Sequence, residues 1–171
     1  VWPSLIRKLR DGRLVLYAGC WRRGEKIPSG DGPMRKMMFI SNDKGKTWTT
    51  PIPLMSPDQG ICEESDFCEL PNGDLFWVHR SEFYPDHATD VPPGACRMGA
   101  TPPQSNWYSI RNQSIARKEG DTFVPGEPTL AALSHSGYPL LIQAKEGVIL
   151  HLATSGVHWT ADLGKSWQPI E

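Results

Sequence analysis

Short apolar runs set the rhythm of this chain: "SLIRKL", "LVLYAG", "KMMFIS", "DFCEL", "LFWVHR", "PLLIQA" and "VILHLA". Turn residues separate them, and no stretch carries the spacing of an amphipathic helix. The pattern therefore predicts an all-β chain. Several runs are apolar on consecutive residues instead of alternating, which suits strands covered on both faces.

The turns expose a repeat. "SLIRKLRDGRLVLY", "DFCELPNGDLFWVH" and "LLIQAKEGVILHL" each read as a strand, an acidic or amide residue followed by Gly, and a second strand. Asp11-Gly12 and Asn72-Gly73 are strong hairpin turns, because Gly and Asn tolerate the positive φ that tight turns require. Glu146-Gly147 is a weaker version. A third strand follows each hairpin, and after it comes a place for an octapeptide. That place holds "SNDKGKTW" (41–48) in the first unit and "TADLGKSW" (160–167) in the third. In the middle unit "ARKEGDTF" keeps only the Gly and an aromatic residue. Fourth strands are expected from "WTTPIPL" and "WQPIE".

The chain thus divides into three four-stranded units, at about 1–58, 59–132 and 133–171, the middle one carrying an insertion at about 81–109. Four-stranded sheets repeated at this period predict a β-propeller. Three blades do not close a ring that needs about four to eight. Either the sequence is a fragment of a longer ring, the preferred reading, or two chains complete one. A half ring would expose two apolar blade faces, so self-association is expected of it and a clean monomer is not.

Inside the octapeptide, Ser41 and Asp43 can accept bonds from nearby backbone N–H groups. Gly45 supplies a conformation other residues resist, and Trp48 is expected to open the next strand and bury its ring. No acid, base or metal ligand stands beside them, so the motif reads as scaffold.

Composition narrows the function classes. Lys plus Arg number 18 and Asp plus Glu 19 among 171 residues, a net charge of -1, which offers nothing to nucleic acid or an anionic membrane surface. No apolar run is long enough to span a bilayer. The four cysteines, Cys20, Cys62, Cys68 and Cys96, form no CxxC pair; they read as buried thiols, with Cys62 and Cys68 as zinc ligands or disulfide partners the alternative. No His/Cys/carboxylate cluster has ligand spacing, so neither a metal nor another cofactor is expected. Localisation is left open: the sequence is compatible with a secreted or periplasmic protein and does not exclude a cytoplasmic one.

The two octapeptides resemble the Asp box, or BNR repeat, and the hairpins around them resemble those of the sialidase superfamily of six-bladed propellers. The resemblance implies a glycoside hydrolase acting on an anionic terminal sugar of a glycan. A non-catalytic propeller that binds glycan or protein is the alternative. Such chemistry asks for arginines, whose planar guanidinium meets a carboxylate through paired bonds. It also asks for a Tyr nucleophile, the exception among glycosidases, and for an acid to protonate the leaving oxygen.

By resemblance, "EESDFCELPNGDLFWVHR" places Glu64 as the base that activates Tyr and Arg80 as a carboxylate-binding arginine. Glu63 and Glu82 are alternatives to Glu64. Asp31, in a loop before the strand leading to the first octapeptide, takes the acid position, and Tyr138 that of the nucleophile, with Tyr108 as competitor. The family's first arginine has no counterpart at Val1-Trp2-Pro3. Arg97 and Arg111 are the candidates for a further one. Each residue also has a plain structural reading: Gly-Asp-Gly turn for Asp31, strand entrance and exit for Glu64 and Arg80, packing aromatic before Pro for Tyr138. The Pro- and Gly-rich insertion fits a recognition loop. Its Trp107, with Tyr108 and Phe83, could stack on sugar rings or pin the loop down.

Overall fold

A computed structural model describes residues 2–20, 35–55, 64–83, 95–97, 108–133 and 137–171. Among these there is no α-helix, and the strands form three antiparallel sheets. The first runs β1 (Trp2–Lys8), β2 (Leu14–Cys20), β3 (Arg35–Ser41), β4 (Ile52–Pro53) in spatial order. The second comprises β5 (Ser65–Glu69), β6 (Leu75–Phe83), β7 (Cys96–Arg97), β8 (Tyr108–Glu119), β9 (Thr122–Pro125) and β10 (Thr129–Leu130). Its path is β5-β6-β8, and the outer edge of β8 is covered in turn by β7, β10 and β9. Three short segments thus cap an edge that would otherwise offer a long row of free backbone groups. The third sheet runs β11 (Leu140–Gln143), β12 (Ile149–Ala153), β13 (Gly156–Thr160), β14 (Gln168–Ile170).

The expected hairpin turns form. Gly12 and Gly73 sit at φ 93° and 92°, and their N–H groups donate to Leu9 and Leu70 carbonyls at 3.0 and 2.9 Å. The weaker Glu146-Gly147 signal becomes a short 3-10 turn, Lys145–Gly147.

Both octapeptides fold into the same hydrogen-bonded turn. Ser41 Oγ donates to Asp43 Oδ1 at 2.8 Å and accepts from the Gly45 N–H at 2.8 Å. Asp43 in turn accepts from the Thr47 N–H at 2.8 Å and its hydroxyl at 2.6 Å. Thr160, Asp162, Gly164 and Ser166 repeat the set at 2.7–3.0 Å. The residue before each Gly is also left-handed, Lys44 at φ 63° and Leu163 at φ 59°. The two tryptophans differ. Trp167 is 8% exposed and packs in the core. Trp48 is only half-buried and opens no strand, since β4 begins at Ile52.

The sheets stack face to face, and period-2 alternation sends each strand's side chains to two different neighbours. Phe67, Leu75 and Trp77 of the second sheet pack on Val15, Tyr17 and Met38 of the first. Cys68, Phe76 and Val78, the alternate residues, pack on Leu141 and Ile149 of the third. Where the first strands of the three sheets meet, Asp66 joins them. It accepts from Arg7 Nε at 3.0 Å and Nη2 at 2.5 Å, and from the Leu141 N–H at 2.6 Å.

Candidate functional site

The second sheet's hairpin turns at Asn72-Gly73, so Glu64 and the end of β6 lie at the opposite end of the sheet from that turn. The Arg80 N–H donates to the Glu64 carbonyl at 2.9 Å, and Arg80 pairs with Arg111 in the β6–β8 register. Glu64, Arg80 and Arg111 therefore form one cross-strand row. By alternation with Val78 and Phe76, that row lies on the side facing the third sheet.

Within the row, Arg80 Nη1 meets Glu64 Oε1 at 2.8 Å, with the two side chains 12% and 22% exposed. Arg80 Nε donates to Ser109 Oγ at 3.3 Å. A guanidinium fixed by a carboxylate on one side and a hydroxyl on another is a preorganised cation for a planar anion. Arg111 is fully buried and donates from Nη2 to the Gly137 carbonyl, anchoring the backbone next to Tyr138. Tyr138 itself is 46% exposed just before β11.

The structure thus brings together Glu64, Arg80 and Arg111, and ties Arg111 to the Tyr138 segment. It does not offer Arg111 as a surface cation, because burial turns it inward to a carbonyl. Asp31 and Trp107 lie outside the described residues, as does the Arg97 side chain; the Arg97 backbone pairs with Tyr108 on the outer edge of β8. No group of three or more His, Cys, Asp or Glu that could hold a metal occurs among the described residues, and no helix there is long and apolar enough to cross a membrane.

Three buried polar groups around the row, Lys36, His151 and His79, were not singled out from the sequence. Lys36 is 2% exposed and reaches from the first sheet to donate to the Arg80 carbonyl at 2.5 Å. Its place on the same face as Met38 and Ile40 was the available signal. His151, fully buried, alternates with Ile149 in the same way, and neither ring nitrogen has a hydrogen-bond partner. Burial, then the charges of Arg111 and His158, lowers its pKa to about 4. His79 is also held neutral, by burial and by Lys36, and its nitrogens meet Ser65 and Ser114 hydroxyls at 3.0 and 3.1 Å.

No protein-family model matches the chain, and no curated protein matches it. Solved structures do. A Hadza microbial sialidase, Hz136, is 16% identical with a TM-score of 0.57, over 99% of this chain and 37% of that one. A protein of unknown function from Dyadobacter fermentans is 18% identical with a TM-score of 0.57, over 97% and 48%. A GH43_12 protein retrieved from a capybara gut metagenome is 14% identical with a TM-score of 0.56, over 99% and 30%. The all-β arrangement of stacked antiparallel sheets is shared with these proteins, and the chain spans less than half the length of each.

Proposed function

We propose that the three sheets are blades of a β-propeller, that the octapeptide turns are Asp boxes, and that the chain carries part of a sialidase-like glycoside hydrolase site for an anionic terminal sugar. The observation that carries this reading is the Glu64–Arg80 ion pair, in register with Arg111 and tied through Gly137 to the Tyr138 segment. The fold shared with a sialidase and a GH43_12 protein supports it.

In this reading Arg80 receives the substrate carboxylate. Glu64 holds Arg80 in place and takes the proton from the Tyr138 hydroxyl as its oxygen attacks the anomeric carbon. A neutral phenol avoids the repulsion that a carboxylate nucleophile would meet from the substrate's own charge. Asp31 protonates the leaving oxygen. Arg111 acts indirectly, by fixing the carbonyl beside Tyr138. Arg97 offers a second cation to the substrate and Trp107 an apolar face to the sugar ring. No metal or other cofactor enters the scheme.

The test is hydrolysis of a fluorogenic sialoside by the protein and by Glu64→Gln. Removing the base should lower turnover about 10²–10⁴-fold. Equal turnover by both would remove Glu64 from the chemistry. Sialoside binding without turnover by either would convert the site to a glycan-binding one.

A further inference from the structure

Lys36 is out of place for a core residue. It shares the inner face of β3 with Met38 and Ile40, both buried in the cluster that joins the first two sheets. An ammonium is costly to bury there, and an apolar residue of similar size in such a place often gives equal or greater stability. The Lys36 side chain nonetheless crosses the junction. Its Nζ donates to the Arg80 carbonyl at 2.5 Å and to Met55 Sδ at 3.4 Å.

The carbonyl it takes lies at the end of a ladder. In an antiparallel sheet a residue turns its N–H and its C=O toward the same neighbour. The Arg80 N–H donates to the Glu64 carbonyl at 2.9 Å, so the Arg80 carbonyl also points to the β5 side. The β5–β6 pairing stops at Ser65 and His79, one step before Arg80. Lys36 supplies a donor from another sheet at the place where that pairing stops. Arg80 is then held along its whole length. Glu64 takes the N–H and Lys36 the carbonyl, while the Glu64 carboxylate at 2.8 Å and Ser109 Oγ at 3.3 Å fix the guanidinium.

We infer that Lys36 is a positioning residue for Arg80: it pins the end of β6 to the first sheet and so sets where the guanidinium meets a substrate carboxylate. Paired recognition of a carboxylate is exacting in distance and angle. A displacement of about 1 Å in a positioning group can cost on the order of 10²-fold. Lys36 also stands on the strand that leads out of the Asp31 segment. The same contact therefore ties the strand after the proposed acid to the proposed carboxylate site. The use of Arg80 by a substrate rests on the proposed function; the immobilisation of Arg80 does not.

Nitrogen-15 NMR of the Arg80 Nε–H tests it in Lys36→Met, which keeps the length of the side chain and removes the donor. Ile40→Val, on the same face at the same junction, controls for lost packing. Lys36→Met should speed solvent exchange of the Arg80 Nε–H about tenfold. It should also raise KM for a fluorogenic sialoside about tenfold with kcat within about twofold, the signature of lost ground-state binding. Ile40→Val should leave all three unchanged. Lys36→Gln keeps a donor on a shorter chain; it should change them less in the same direction, and it replaces Lys36→Met if that variant does not fold. An unchanged Arg80 signal in the Lys36 variants, or an equal change in Ile40→Val, would overturn the inference. So would a larger effect on kcat than on KM. A wild-type protein that cleaves no sialoside removes the proposed reaction, and the Arg80 exchange rate still decides the role of Lys36.

Discussion

Arg7 and Asp66 are bound side by side across two sheets, Nε to Oδ1 at 3.0 Å, and the same arginine donates to the Leu141 carbonyl of the third sheet at 3.2 Å. Asp66 is 1% exposed and Arg7 30%. Burial pushes the Asp66 carboxyl up, while Arg7 and the Leu141 N–H pull it down, with burial the larger effect. Such a pair adds little net stability, but deleting one partner strands the other charge. Arg7→Met should therefore destabilise the fold by about 2–3 kcal/mol, less than the roughly 3–5 kcal/mol of a fully buried pair because Arg7 is partly solvated. Asp66→Asn, which keeps an oxygen for the Leu141 N–H, should cost less. Urea unfolding of the two variants checks the order; equal costs would show that the charge of Asp66 matters as much as its acceptor.

Gln113 should be the more specific lesion at the second junction. Its amide nitrogen donates to the Gly164 carbonyl at 2.8 Å, and its oxygen accepts from Trp167 Nε1 at 3.0 Å. Replacing it by Leu leaves both groups buried and unsatisfied, a loss of about 2 kcal/mol. Gly164→Ala attacks the same contact from the other side. Gly164 has φ +80°, and a Cβ there would lie 2.3 Å from the Gln113 side chain. The expected cost is about 1–2 kcal/mol from the backbone alone. Because both changes break one contact, the double variant should lose less than the sum, which a double-mutant cycle measures.

Much of this framework was legible in the sequence, and the limits have a physical cause. Strand identity came from runs such as "LFWVHR", and the turns came from residues that tolerate positive φ. Glu64 and Arg80 were singled out by the resemblance, at the entrance and exit of one hairpin, and the structure pairs their side chains. The inward roles of Lys36, Gln113 and Arg111 were not legible, because each acts on a different sheet and no local pattern encodes that partner. The unequal tryptophans make the same point. Trp48 and Trp167 have nearly the same local sequence, yet Trp167 is the more buried because Phe76 and Gln113 of the second sheet stand against it, contacts the octapeptide does not encode. The expectation that Trp48 opens the next strand was not met, since β4 begins at Ile52, and its ring is buried in part, less than that of Trp167.

Acid should unfold this protein in two stages. His151 has a pKa lowered to about 4 by burial, then by the charges of Arg111 and His158. The ordinary value is about 6.5, so the unfolded chain binds that proton first. The stability from a neutral His151 is fully present above pH 6.5 and is lost as pH falls toward 4, by up to about 3 kcal/mol. His79, held neutral by burial and by Lys36, acts in the same direction and continues to lower pH. Asp43 and Asp162 follow. Hydrogen bonds from Thr47, its hydroxyl first, lower the Asp43 carboxyl to about 2, and bonds from Thr160 and Ser166 lower Asp162 to about 2. Their contribution is present above about pH 4 and disappears as pH falls through 2. Asp66 works against this trend, since protonation relieves its burial. Urea midpoints measured from pH 8 to pH 2 should therefore be flat above pH 7 and fall from 6.5 to 4. His151→Leu removes two buried nitrogens and should make the upper limb shallower, His79 keeping the rest of the slope, while leaving the lower limb in place. An unchanged slope between pH 6.5 and 4 in that variant would show that His151 is not the group being protonated.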